Sequence, residues 1–218
     1  GTISAVTPKE GAPAKVKKRI ISDLDKVYYP EKFVVPYIDI VHDRAVAEVF
    51  RGCIRGCRFC QAGFIYRPIR EKSSDTVNRQ AKCLCDTTGY DEVSLCSLST
   101  SDYSGIEQLI PQMFSWALPE KINVSLPSLR VDNFSEELME ELKKVRKSGL
   151  TFAPEAGTQR LRDAINKNVT EEEVLSTAAQ AFRGGWTAVK LYFMMGLPTE
   201  TLDDIAGIAE LAQKVVNE

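Results

Sequence analysis

From residue 45 onward the chain alternates short apolar runs with amphipathic helical patterns, and this alternation limits its fold more than any other feature. The strand-like runs are 45–50, 91–96, 121–126, 150–154 and 187–194. Between and after them come helical patterns at 74–88, 105–117, 135–147, 170–183 and 201–216. In 74–88 the residues Val77, Ala81, Leu84 and Cys85 share a face. In 135–147 Ser135 can cap, Leu138, Leu142 and Val145 form a stripe, and Gly149 stops the helix. Thr170 and Glu173 form a capping box, and Val174, Leu175, Ala178 and Phe182 face inward behind it. Thr201 repeats the device, with Ile205, Ile208, Ala212 and Val215 packing. The 105–117 helix carries Pro111, which costs about 3 kcal/mol in a helix interior.

Strand–helix alternation of this kind means parallel βαβ units with right-handed crossovers. Five units can be counted, whereas a closed barrel needs about eight strands. The expected fold is therefore α/β, a partial, open barrel of about five βα units. The run 33–40 (FVVPYIDI) also reads as a strand, kept at an edge by Pro36. Residues 1–40 read as an extension or linker and 41–218 as the core domain, cut short on its C-terminal side. The start at Gly1 rather than Met is expected of a processed or shortened chain.

Composition excludes several classes. With 218 residues, 44% of them hydrophobic and 27% charged, the chain can bury a core without disulfides and is not disordered. No apolar run approaches the roughly 20 residues of a membrane span. The net charge of −2 makes no global case for nucleic acid. Residues 51–72 nevertheless hold Arg51, Arg55, Arg58, Arg67, Arg70 and Lys72 against Glu71 alone. Such a run is a solvated face, a phosphate-binding patch, or a counter-charge to something anionic.

Three of the six cysteines, Cys53, Cys57 and Cys60, fall within eight residues directly after the first strand of the series. Ligands bind at that end of the strands in such folds. Gly52 and Gly56 let the backbone curl, and three thiolates in one loop can converge on one metal centre. Three ligands on a four-iron cubane leave one iron open for chemistry. Zinc held by the three cysteines and His42 is an alternative by ligand type, and a Cys57–Cys60 dithiol is another. Cys83, Cys85 and Cys96 lie in apolar patterns and read as buried fillers.

The C-x3-C-x2-C spacing with Phe59 before the last cysteine resembles that of the radical S-adenosylmethionine superfamily. The resemblance covers most of the chain from about residue 45. It implies a [4Fe–4S] cluster on Cys53, Cys57 and Cys60. It also implies S-adenosylmethionine chelated at the open iron and cleaved by one electron to methionine and a 5′-deoxyadenosyl radical that abstracts a substrate hydrogen. Glu155-Ala156-Gly157-Thr158, with Lys167 and Thr170 beyond it, is similar to a stretch of methylthiotransferases and cobalamin-dependent radical enzymes. Gly196-Leu197-Pro198-Thr199-Glu200-Thr201 resembles the superfamily's Gly-x-Pro-x-Glu-Thr loop. Ser99-Thr100-Ser101-Asp102 stands where the methionyl amino group is usually held, although the usual acidic stretch is replaced. The resemblance thus implies cofactor contacts from Phe59, Ser99, Thr100, Glu155, Lys167, Met194 and Gly196.

Longer stretches, among them HDRAVAEVFRGCIRGCRFCQAGFIYRP and TFAPEAGTQRLRD, resemble a bacterial radical enzyme family of unassigned reaction with a cobalamin-binding-like N-terminal region. Cobalamin would then reach this chain only through a region outside it. The resemblance further implies a cytoplasmic enzyme, no membrane, and an electron donor of flavodoxin or ferredoxin type. The substrate is open, with RNA and small molecules both in view. The competing class is a non-catalytic iron–sulfur or zinc module acting as sensor or scaffold.

Overall fold

A computed structural model describes residues 4–127 and 149–218. Strands β1 (Ala45–Glu48), β4 (Glu92–Cys96) and β5 (Asn123–Ser125) form a parallel sheet in the order β1-β4-β5. Strands β6 (Leu150–Glu155) and β7 (Val189–Phe193) form a second parallel pair. The strands β2 (Phe50–Arg51) and β3 (Arg70–Glu71) pair antiparallel and pinch the base of the cysteine loop. The helices are α1 (Ala62–Ile65), α2 (Ser74–Thr88), α3 (Ile106–Ala117), α4 (Gln159–Ala164), α5 (Glu171–Arg183) and α6 (Leu202–Asn217). This is the expected α/β order with parallel strands and, among the described residues, no closed barrel, in keeping with the partial barrel expected from the sequence. Among the described residues β7 pairs with β6 alone. The helix expected at 135–147 lies outside the described residues.

Local chemistry accounts for most boundaries. Ser73 accepts from the Thr76 amide to start α2, and Gly89 ends it in the left-handed conformation. Val77, Ala81, Leu84 and Cys85 are buried, as their spacing requires. Thr170–Glu173 and Thr201–Asp204 form full capping boxes. Helix α3 runs through Pro111 because that residue lies on the exposed side, where water can serve the carbonyl left without a partner. Opposite it Leu109, Ile110, Met113 and Phe114 are buried. At about 1.5–3 kcal/mol per buried side chain they outweigh the proline.

Two expectations are corrected. Residues 33–40 form no strand, and Val34, Tyr37 and Ile38 are exposed. A strand needs a neighbour to take its backbone hydrogen bonds, and among the described residues this run has none. Helix α6 buries Asp204, Gly207, Leu211 and Val215, while Ile205 stays 39% exposed. Its face is rotated because Gly157 meets the helix backbone at Gly207.

The pleat divides the sheet faces. Ala45, Ala47, Val93, Leu95, Leu150 and Phe152 join the helices in the main core. On the opposite faces of the two sheets Val46, Cys96, Thr151, Lys190 and Tyr192 are exposed and Ser94 is buried. A packed barrel fills that face with branched aliphatic side chains. Here it is open and mostly polar.

Candidate functional site

The cysteine loop spans the gap between the β2 and β3 strands, with the Lys72 amide donating to the Val49 carbonyl at 2.9 Å just outside. Gly52 is required at its entrance. Its φ is +104°, and a Cβ there would lie 2.9 Å from the Tyr66 carbonyl oxygen. Cys57 is buried, Cys53 and Cys60 are partly exposed, and all three are free thiols. Donors from the protein occupy the loop's carbonyls. The Arg67 guanidinium donates to Ile54 O at 3.0 Å, the Asn166 Nδ2 to Gly56 O at 2.8 Å, and the Cys60 amide to Cys57 O at 3.1 Å. The loop therefore keeps its shape before any ligand binds.

Among the described residues no three His, Cys, Asp or Glu side chains stand close enough to hold one metal ion. His42 lies 3.0 Å from the Arg44 guanidinium. A cubane spreads its thiolates over separate irons and so needs a wider triangle than a zinc shell does. Cysteine alone as donor type also fits iron–sulfur ligation.

The basic run is bound up within the protein. Arg51 pairs with Glu48 at 2.8 Å and Arg55 with Asp102 through Nε at 2.9 Å. Arg58 donates to Ala164 O at 2.6 Å and Arg70 to Pro68 O at 2.9 Å. Lys72, buried, donates to Gln80 at 2.8 Å. Arg58, Arg67 and Arg70 thus meet neutral carbonyls, and the first two are exposed.

The loops leaving β4 and β6 approach the cysteine loop. Ser99 donates to Asp102 at 2.7 Å, and Asp102 holds Arg55, so the β4 exit is tied to the loop. Thr100 is fully buried, its hydroxyl 3.0 Å from that of Ser97. Phe59 and Met194 pack on a small apolar cluster of Ala156, Leu161, Ile165 and Leu197. The Arg58 amide donates to Ile165 O at 2.9 Å. Glu155 and Lys167, 12 residues apart, form an ion pair at 3.1 Å. Gly196, at φ +83°, donates to Glu200 at 2.6 Å, and the Met194 amide donates to Glu155 O at 2.8 Å.

Backbone strain gathers here. Glu155 has φ +70°, Asn166 +55°, Asn168 +52° and Thr199 +68°. A non-glycine residue in this region costs roughly 1–3 kcal/mol and persists where the surroundings over-determine it. At Glu155 the cause is a register shift in the β6–β7 pairing.

Asp204 ties the last two loops together. It accepts from Thr158 and Arg160, and from the Thr201 amide at 2.8 Å. The Thr158 hydroxyl, then Arg160, hold its carboxyl far below the usual carboxylate range. Sequence reasoning missed Asp204, the Arg55–Asp102 pair, Asn166 and helix α4. Asp102 did stand in a quoted stretch, but its partner is 47 residues away. Among the other cysteines Cys85 is buried, its thiol pushed up to about 11 by burial. Cys83 is only partly buried and Cys96 is exposed, which corrects their reading as fillers.

The comparisons agree with this geometry. The sequence matches the Radical SAM superfamily over residues 47–212. An uncharacterized protein of Methanocaldococcus jannaschii is 34% identical over 210 residues, 92% of this chain and 46% of that one. A protein of the same organism with a provisional methylthiotransferase name is 26% identical over 162 residues, covering 71% of this chain and 35% of its own. This chain therefore spans less than half the length of these relatives. Among solved structures, the radical S-adenosylmethionine methyltransferase TsrM from Kitasatospora setae, with cobalamin and a [4Fe–4S] cluster bound, superposes with a TM-score of 0.66. The identity is 10%, over 79% of this chain and 35% of TsrM. The cobalamin-dependent radical enzyme OxsB, with aqua-cobalamin and S-adenosylmethionine bound, gives a TM-score of 0.59 at 15% identity, over 77% of this chain and 26% of OxsB. At such identities the likeness shows the fold, while the superfamily match spans most of the chain. A three-cysteine loop at the carboxyl end of a parallel strand, on a partial barrel, over a stretch that matches the superfamily, makes this chain a member of the radical S-adenosylmethionine superfamily.

Proposed function

We propose that residues 41–218 form the catalytic core of a radical S-adenosylmethionine enzyme, with 1–40 as an extension, and that Cys53, Cys57 and Cys60 hold its [4Fe–4S] cluster. A cluster held there would supply the single electron for reductive cleavage of the sulfonium of S-adenosylmethionine to methionine and a 5′-deoxyadenosyl radical. The chain's own residues bind and orient. Glu155 accepts from the ribose hydroxyls or the ammonium of the cofactor, and Lys167 pairs with its carboxylate. The Glu155–Lys167 pair at 3.1 Å already sets opposite charges side by side for a zwitterionic ligand. Ser99 and Thr100 stand on the β4 exit, and Phe59, Met194 and Gly196 supply the apolar wall and the turn. The electron comes from a flavodoxin- or ferredoxin-type donor.

The observation that carries this reading is the approach of the β4 and β6 exits to the cysteine loop, through Arg55–Asp102 and Arg58–Ile165, with Phe59 of the loop and Met194 of the β7 exit packing on one shared apolar cluster. The mostly polar sheet faces with Cys96, Thr151, Lys190 and Tyr192 offer room for a polar small-molecule substrate. Cobalamin, present in the TsrM and OxsB structures, would be held by regions outside this chain. No helix among the described residues is long and apolar enough to cross a membrane, and we place the enzyme in the cytoplasm.

Anaerobic reconstitution tests the proposal. About four irons should bind per chain, and reduction with S-adenosylmethionine should release 5′-deoxyadenosine. Iron uptake without 5′-deoxyadenosine would identify a scaffold instead. Glu155→Ala should keep its iron and bind the cofactor roughly 10- to 100-fold more weakly, the loss of one charged hydrogen bond.

A further inference from the structure

Arg162 is fully buried, yet none of its four side-chain hydrogen bonds goes to a carboxylate. Its guanidinium donates to Ala156 O at 2.9 Å, Gly157 O at 3.1 Å, Val169 O at 3.1 Å and Gln159 Oε1 at 3.1 Å. Its own carbonyl accepts from the Lys167 amide at 2.9 Å. The carbonyls it holds belong to the two residues after Glu155 and to the second residue after Lys167. A single side chain thereby bridges the two segments whose strained residues, Glu155, Asn166 and Asn168, carry or flank the ion pair. A buried cation whose hydrogen bonds all go to neutral oxygens is an expensive staple; burial pulls the Arg162 pKa down, and the charges of Glu171 and Asp163 offset this only in part. A helix as short as α4 needs no such group to pack, because Leu161 and Ile165 already do so.

We infer that Arg162 is a positioning residue, which holds Glu155 and Lys167 in the relative geometry with which the pair meets S-adenosylmethionine. It touches neither the cofactor nor the thiols and acts through the backbone on either side of the pair. This inference rests on the proposed cofactor role of Glu155. A purely structural arginine would change stability and leave the pair's ligand affinity alone.

The test is a mutant cycle on S-adenosylmethionine affinity, measured by calorimetry on the cluster-loaded full chain, with iron content and melting temperature recorded for each protein. Arg162→Lys should weaken binding by about 10-fold, the scale on which outer-shell supports act, with iron content unchanged. In a Glu155→Ala/Lys167→Ala background, where neither member of the pair remains, the same substitution should have almost no further effect, because groups that work through one another are non-additive. Hydrogen exchange at the Lys167 and Met194 amides should quicken in Arg162→Lys before cofactor is added. Equal fold-losses in both backgrounds, or a lowered melting temperature with unchanged affinity, would overturn the inference while leaving the role of Glu155 standing. Glu155→Ala binding as tightly as wild type would remove the cofactor role and this inference with it. If Arg162→Lys does not fold, Gln159→Ala, which deletes one of the four acceptors, enters the same cycle with an expected loss of about 2-fold, and additivity again overturns the inference.

Discussion

Replacing Gly157 by alanine is expected to damage the junction of the β6 and β7 exit loops without touching a thiol or a charge. A Cβ at that position would stand 2.2 Å from Ile208 N, 2.4 Å from Gly207 C and 2.6 Å from Asp204 O. All three are backbone atoms of α6, so no side chain can swing away. Gly157 does not need a left-handed φ, so the cost is space alone. Overpacking of this kind costs typically 1–3 kcal/mol, and contacts with rigid backbone lie at the upper end. For a chain of this size 1 kcal/mol is about 2–4 °C of melting temperature, so a fall of roughly 6–12 °C is expected. Gly149→Ala is the control. Among the described residues nothing lies within 4 Å of its Cβ, and its φ is not positive, so it should be neutral or stabilising by about 0.4–1 kcal/mol. Calorimetric melting of the two variants and the wild type decides the matter. A Gly157→Ala protein as stable as wild type would refute the close approach of α6 and, with it, the explanation of that helix's rotated face.

Three further outcomes are expected. Replacing Cys53, Cys57 or Cys60 by alanine should abolish iron loading and the thiolate–iron absorbance, whereas Cys83→Ala and Cys85→Ala should load as wild type does, as iron analysis after reconstitution will read. The Asp204 carboxyl is held below its ordinary range, so its contribution to stability is present above the unfolded aspartate pKa of about 3.9 and is lost as pH falls below it. Denaturation midpoints of wild type and Asp204→Asn should therefore differ at pH 7 and converge on acidification; a gap that stays constant with pH would show that the charge is not responsible. Alkylation of the native, cluster-free protein should modify exposed Cys96 well before Cys85, which is buried and whose thiol, raised to about 11, stays protonated at neutral pH; peptide mass spectrometry reads the order.

The sequence by itself determined the alternation of the main parallel strands with the longer helices, the cysteine loop at a strand exit, and the capped starts of α5 and α6. These rest on local chemistry, namely side-chain period, turn residues and hydroxyl caps, which operates within a few residues. Thr170 and Thr201 were legible from their neighbours alone. Tertiary structure decided whatever needed a distant partner. The run 33–40 has the right alternation but no strand beside it, and Pro111 is tolerated because of what α3 packs against. The face of α6 turns on Gly157, some fifty residues earlier in the chain. The Arg55–Asp102 pair, the Glu155–Lys167 pair and the arginine buried between two loops follow no local spacing rule. They depend on strand exits being brought to one end of a parallel sheet. A chain of parallel strands always does this, but only the packed backbone fixes which side chains meet there.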